Sequence, residues 1–568
     1  MTEDAPQAGR PNGAETPPSE GRGVWGFLQA LRSSFGNRFL GFMVLNYFGL
    51  KGIVLAVLQA AMLPYFQNMG VKEVQYQLAT VVAMIPWSMK GFIGVLSDIV
   101  PIGRFHKKGY LLLSAVLGFV GLLELGFQHQ DNCWVAASFF ALAFAFIATF
   151  DLLCEGKYSE IMRTEQAGSE VLTFVWFCMQ MGAFLAAFGL MYTIDSKNWG
   201  ARRLILWMSP FAIISAWRTC CGDLPEVPAR SWHSLKAKLW SEPELFLLAV
   251  MMAVGSLFVA LALALSTPKI RLITAVSISL LLIFFSFHTL PRVLARSNLY
   301  MFIISIAYMD LSGPLSYWYT GEEGCVPDGP HFSYAYYLAV SNVVGSLGAS
   351  MGAVLFQYMQ TWSFRSAFYV TTFVEVVASL FDLFILNRWN LRVGIPDAWA
   401  YLFGDAACQS IAAQMMIMPQ ALLTARLCPR GAEATVFAIL AGFQNFGANI
   451  GSILGAQLAE ATGIVMKRNG PCEYQTLPHL IVLCHVAIPL ACLLLTWLVP
   501  SVAMNDESAF AMDSPPPSFA SPGPSPPWSP ETTPRAQEEE DEPGGVEGHT
   551  QEYYLMQEDG LILRQVSG

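Results

Sequence analysis

The sequence predicts an all-α integral membrane protein of about fourteen spans, built as two six-helix halves with an inserted helical hairpin. Composition is the first reason. The 568 residues are 54% hydrophobic and only 13% charged, where a soluble domain carries roughly a quarter charged residues. Apolar runs of about 20 residues, enough to cross ~30 Å of hydrocarbon, recur from Phe39 to Val499. The third reason is an internal repeat. A polar-punctuated helix (39–67), a helix rich in small residues (75–98), a turn and a further helix are matched in order by 298–320, 332–358, the turn at Thr361–Arg365 and 366–387.

In chain order, residues 1–38 read as a disordered arm, since the first 23 are rich in Pro, Gly and Glu. They hold no apolar stretch, so no cleavable signal peptide is expected. The first half covers 39–221, with spans near 39–67, 75–98, 109–128, 133–153, 170–192 and 203–221. A polar, Pro-broken connector follows at 222–244, then the hairpin at 245–290. The second half covers 298–500, with spans near 298–320, 332–358, 366–387, 396–422, 433–461 and 478–499. Beyond it, 501–568 is a Pro-rich and acidic tail that cannot bury enough apolar surface to fold.

Charge is distributed to suit this layout. Much of the net −10 sits in the tail, around Glu538–Glu542, and no basic face is left for nucleic acid. Lys and Arg in the loops favour the side that carries both termini, so cytoplasmic termini are expected. Small residues spaced four apart (Gly447, Gly451 and Gly455; Gly348 and Gly352; Gly182 and Ala186) mark helices whose backbones approach closely. They fall on the second and fifth helices of each half, the expected seam.

Ionisable residues inside spans carry the functional expectation. Lys51, Lys90, Asp310, Glu375 and Asp405 each cost about 2.5–3.5 kcal/mol at a helix centre, so each must be paired or wetted. A Lys51–Asp310 pair is one arrangement among several that spacing allows. Asn46 and Gln59 share the first span, and Tyr317 and Trp318 end the ninth. Aromatic rings can stack on a planar heterocycle and a lysine can meet a carboxylate, although rings at a span end also suit the membrane interface.

Four motifs fix a family resemblance. Residues 86–108, PWSMKGFIGVLSDIVPIGRFHKK, end a helix on Asp98 and turn through Gly103 into Arg104, Lys107 and Lys108. With DLLCEGKYSEIMRTEQAGSEVLTFVW (151–176), the connector CVPDGPHFSYAYY and LCPRGAEATVFAILAGFQNFG (427–447), they resemble the folate–biopterin transporter family of the major facilitator superfamily. The matches run from about residue 40 to 500. Gly91 stands where that family often has proline, and Lys51 where it often has glutamine.

The resemblance implies a secondary active carrier of folate, biopterin or a related pteridine, working by alternating access and coupled to protons through an intramembrane carboxylate. It implies a cytoplasmic latch formed by Gly94, Asp98, Arg104, Asp151 and Glu155 against Arg430 and Glu433, with Asp98 capping the thirteenth span. Two alternatives stay open: an S-adenosylmethionine carrier of the same family, and a non-transporting receptor or scaffold that signals through the tail. An enzyme is not expected, for no nucleophile–base or His-Glu-x-x-His pattern occurs. Neither a metal nor a cofactor is expected; the partners are a small solute, protons and the bilayer. The host would be the plasma membrane, with an organellar membrane as the alternative. Cys325 and Cys472 fall in loops of the predicted exterior side, which leaves a bridge between them open.

Overall fold

The computed structural model describes residues 24–506, apart from 129, 165–169, 196–199, 227, 229–242, 428–432 and 465–471. The chain is helical throughout these residues, with only two isolated β-bridges. In chain order the helices are α1 (Val24–Phe35), α2 (Asn37–Asn68), α3 (Glu73–Ile99), α4 (Lys108–Phe127), α5 (Cys133–Thr164), α6 (Glu170–Thr193) and α7 (Gly200–Leu206 with Ser209–Cys220). A hairpin of α8 (Pro243–Leu265) and α9 (Pro268–Thr289) follows. The second half holds α10 (Arg292–Thr320), α11 (Ala335–Gln357), α12 (Phe364–Leu386), α13 (397–427), α14 (Glu433–Ala461) and α15 (Leu477–Leu498).

Twelve of these are long and apolar enough to cross a membrane. The other two expected spans, α7 and α13, are present as helices but fall outside that set. A turn at Trp207–Met208 splits α7, and α13 carries Asp405, Gln409, Gln414 and Gln420. Both still pack into their halves, α7 against α4 and α2, α13 against α11 and α12. Rings and aliphatics such as Phe284, Leu280, Phe188 and Leu494 are exposed around the outside. That surface is stable only where lipid replaces water, so the protein is a multi-pass integral membrane protein.

Two boundaries differ from the sequence expectation. The arm expected to be disordered through residue 38 is helical from Val24 to Phe35, because Leu31 and Phe35, four residues apart on one face of α1, are buried against the bundle. Gly36, at φ 71°, then turns the chain into α2. At the other end, residues 501–504 are ordered: Phe364 N–H donates to Val502 O at 3.1 Å and Met504 N–H to Trp362 O at 2.9 Å. Most of the connector and nearly all of the acidic tail lie outside the described residues.

The seam between the halves forms where expected, α3 against α14 and α6 against α11. The small-residue rows do something different from the expectation. They mostly pack helices within one half rather than across the seam. A Cβ on Gly455 would lie 2.0 Å from Asp310 O on α10, and one on Gly182 would lie 2.2 Å from Phe48 O on α2. Gly348 and Gly352 likewise meet α13. Across the seam itself, Gly91 of α3 lets Ala438 and Ile439 of α14 approach. The hairpin is no loose insertion either, since α8 packs on both α3 and α14, with Met252 fully buried there.

One end of the bundle, opposite the chain termini, carries a disulfide between Cys325 and Cys472, and Cys472 N–H also donates to Cys325 O at 2.7 Å. The bridge joins the α10–α11 and α14–α15 loops. Cys325→Ser is expected to lower stability by about 2–5 kcal/mol. A lower melting midpoint of the purified variant, reproduced in the parent protein by a reductant, is the measurement.

Candidate functional site

Two groups of polar side chains lie inside the bundle, one in each half. In the first half, a single carboxylate holds two lysines. Asp151 Oδ2 on α5 sits 3.0 Å from Lys51 Nζ on α2 and 2.9 Å from Lys90 Nζ on α3. Lys90 and Asp151 are only 2% and 1% exposed. Lys51 lies on a wide, π-helical stretch of α2 (Leu45–Val54), a distortion that often accompanies functional side chains. Lys90 follows a tight turn where Met89 N–H bonds Pro86 O, and its ammonium lies 4.5 Å from the centroid of the Trp87 ring. Asn46 Nδ2 reaches back to Phe150 O at 3.4 Å on the same wide stretch.

Among the described residues, Asp151 Oδ1 and the Trp87 indole Nε1 are buried with no hydrogen-bond partner. Buried polar atoms of this kind are costly unless something satisfies them. The cluster borders the seam, because Trp87 O accepts from Asn445 Nδ2 of α14 at 3.5 Å and Ser88 Oγ meets Asn449 Nδ2 at 3.0 Å.

The second half supplies acids. Asp382 on α12 and Asp405 on α13 are within hydrogen-bonding reach of each other, and the Tyr319 hydroxyl donates to Asp382 Oδ1 at 3.1 Å. Among the described residues neither carboxylate has an ion-pair partner. Asp405 also lies on a π-helical stretch, Ala400–Ala407. A neighbouring network joins Tyr308 to Ser379 at 2.5 Å, with Gln409 Nε2 within 3.4 Å of both hydroxyls. His485 stacks on Tyr308 with centroids 4.3 Å apart and donates from Nε2 to Met309 O at 3.0 Å. Glu375 is half-buried one turn before Ser379 on α12.

The remaining predicted residues fall elsewhere. Asp310 does not pair with Lys51. It sits in the break of α10 and caps the short helix beyond, accepting from Ser312 N at 2.7 Å, Ser312 Oγ at 2.9 Å and Ser452 Oγ at 2.9 Å. Gln77 of α3 completes this junction, donating to both Asp310 O and Ser452 O at 2.7 Å and accepting from Gly313 N at 3.1 Å. Tyr317 and Trp318 are both buried rather than forming an interfacial belt: Tyr317 OH donates across to Val71 O of the first half at 2.7 Å, and Trp318 faces the Arg388 guanidinium of the second half at 5.9 Å. Gln59 is exposed on α2 and joins neither cluster.

Of the latch residues, Asp151 belongs to the lysine cluster instead. Gly94 packs against Leu152, Glu155 accepts from Tyr158 OH at 3.4 Å, and Asp98 and Arg104 form no ion pair with each other. Arg430 lies outside the described residues, as does the side chain of Glu433, so the Asp98 cap on α14 falls there too. The basic turn is held by Glu226 of the connector, which accepts from Lys107 N at 2.6 Å and Lys108 N at 3.1 Å. Asp382, Trp87 and Gln77 escaped the sequence reading. Asp382, an acid inside an apolar run, was findable by the rule that found Glu375. Among the described residues no group of His, Cys, Asp or Glu is placed to hold a metal ion.

Solved structures share this architecture. A POT family transporter in complex with a thioalcohol-conjugated peptide aligns with a TM-score of 0.56 at 13% identity, covering 83% of this chain and 98% of that one. The nucleoside transporter NupG aligns with a TM-score of 0.53 at 9% identity, covering 81% and 100%. The fold is therefore that of the major facilitator transporters: two six-helix halves, here with a hairpin between them. Within that class the chain belongs to the BT1 family, whose model matches residues 51–513. Relatives include probable folate-biopterin transporter 4 of Arabidopsis thaliana, 26% identical over 471 residues and covering 77% of this chain and 91% of the relative. Probable folate-biopterin transporter 2 of the same plant is 25% identical, covering 68% of each. Folate transporter 1 of Plasmodium falciparum is 22% identical, covering 70% of this chain and 68% of the relative. The protein is a membrane transporter, not an enzyme.

Asp151→Ala is expected to destabilise the fold by about 3–5 kcal/mol, because it strands two buried ammoniums. Adding Lys51→Met and Lys90→Met should recover much of that loss. Melting midpoints of the single and triple variants in one detergent check this.

Proposed function

We propose that this chain carries a folate- or biopterin-like pteridine across the membrane by alternating access, driven by protons. The observation that carries the reading is the lysine cluster beside the seam, where two buried polar atoms, Asp151 Oδ1 and Trp87 Nε1, find no partner among the described residues. Lys51 and Lys90 offer cationic donors, the Trp87 N–H is a further donor, and Asp151 Oδ1 is an acceptor. A pterin ring presents carbonyl and ring-nitrogen acceptors together with N–H donors, and folate adds carboxylates that a lysine can meet. Family membership supports the same solute class.

Protons would enter through carboxyls of the second half, Asp405 with Asp382, and Glu375. Separating a cationic solute site from an acidic one lets the two bias the same rocking motion without cancelling each other's charge. Both termini would be cytoplasmic. The Cys325–Cys472 bridge supports this, since disulfides persist in the oxidising space outside the plasma membrane.

Uptake by reconstituted vesicles, with folate, biopterin and S-adenosylmethionine in mutual competition, is the test. Saturable pteridine uptake is expected, and transport of S-adenosylmethionine alone would replace this reading with the sister one. Lys90→Met should cut uptake at least about tenfold at equal protein, the loss of roughly 1.4 kcal/mol or more of solute interaction. An inward proton gradient should speed uptake, and a protonophore should abolish that gain.

A further inference from the structure

The end of the bundle that carries the disulfide is tied shut by bonds that no motif announces. Asp195, just past α6 in the first half, accepts from two backbone N–H groups of the second half, Tyr334 N at 3.1 Å through Oδ1 and Ala335 N at 3.0 Å through Oδ2. These are the first donors of α11, where orphan N–H groups and the helix dipole both favour a carboxylate. Gln67, at the end of α2, makes a second tie. Its Nε2 donates to Thr320 Oγ1 at 3.1 Å and its Oε1 accepts from Tyr334 OH. Tyr334 is thus held at its backbone by one residue of the first half and at its hydroxyl by another. Tyr317 OH on Val71 O completes the set.

We infer that Asp195 and Gln67 are the gate residues that hold this end closed, positioning residues whose bonds must break for the solute path to open there. A helix cap normally comes from the residue just before its own helix. Ser333 supplies such a local cap to α11, accepting from Tyr336 N at 3.2 Å, and Asp195 adds a second from the other half of the molecule, 139 residues away in sequence, so its bonds report the relation between halves. Neither tie touches the lysine cluster or the acid pair. Weakening them should therefore change how often the end opens while leaving the solute's intrinsic contacts intact. The inference rests on the alternating-access reading above, but its measurement needs no solute.

Spin labels installed as unnatural amino acids at Asn132 and Glu323, exposed positions in loops of the two halves at this end, spare the native cysteines. Pulsed-dipolar distances are compared for the parent protein, Asp195→Ala, Gln67→Ala, Tyr334→Phe and the conservative Asp195→Glu. The expected result is a longer-distance population raised several-fold in the first three variants, with Asp195→Glu close to the parent. In uptake assays the same three should change turnover more than half-saturation. Unchanged distance distributions in the well-folded Tyr334→Phe and Gln67→Ala proteins would overturn the gate, whatever the fate of Asp195→Ala. Failure to move any pteridine, with lengthened distances, would overturn the substrate reading and leave the gate standing.

Discussion

One carboxylate organises the first half. Asp151 pairs with two lysines from two other helices, leaving one net positive charge, and all three groups lie where water is scarce. The shared carboxylate ties α2, α3 and α5 together in a fixed geometry, and because taking the charges out of water costs about what their attraction returns, its loss is felt mainly through the ammoniums it leaves behind. Both ammoniums meet the same oxygen, and among the described residues the other oxygen has no partner. On the reading proposed above, the group that joins the three helices is also the one that offers an acceptor to the solute.

The second half is arranged on the opposite principle. Its carboxyls, the buried Asp382 and the half-buried Asp405, face tyrosines and glutamine rather than cations. Wide helical turns place Lys51, Asp405 and His485 alike. Such turns rotate a side chain off the regular helical face and loosen the local backbone ladder. The two halves share a fold but not a charge pattern: the lysine cluster of the first half borders the seam, whereas the acid pair of the second lies between α12 and α13.

The architecture was legible in the sequence because hydrocarbon permits few solutions. Twenty-residue apolar runs must be helices, and their repeated order sets the two halves. The charged residues were legible for the same reason, since each stood out against an apolar background. Their partners were not. Lys51 and Asp151 are 100 residues apart, and nothing in either helix records the azimuth that brings them together. Asp310 read as a solute ligand although the Gly313-Pro314 step marks a break in the span; only the geometry shows the acid accepting from Ser312 at the new helix start. The glycine rows correctly announced close backbones, but small residues carry no information about which neighbour approaches. Asp195 was invisible for a further reason: a cap supplied by a distant segment has no local signature.

The bridge between Cys325 and Cys472 has a mechanical consequence. Both loops it joins belong to the second half, so the outer ends of α10 and α11 are fastened to those of α14 and α15. On the alternating-access reading proposed above, peeling back either hairpin alone is closed off as a way of admitting solute at that end. The two hairpins would tilt away from α2, α3 and α6 together, with the covalent link transmitting torque between them.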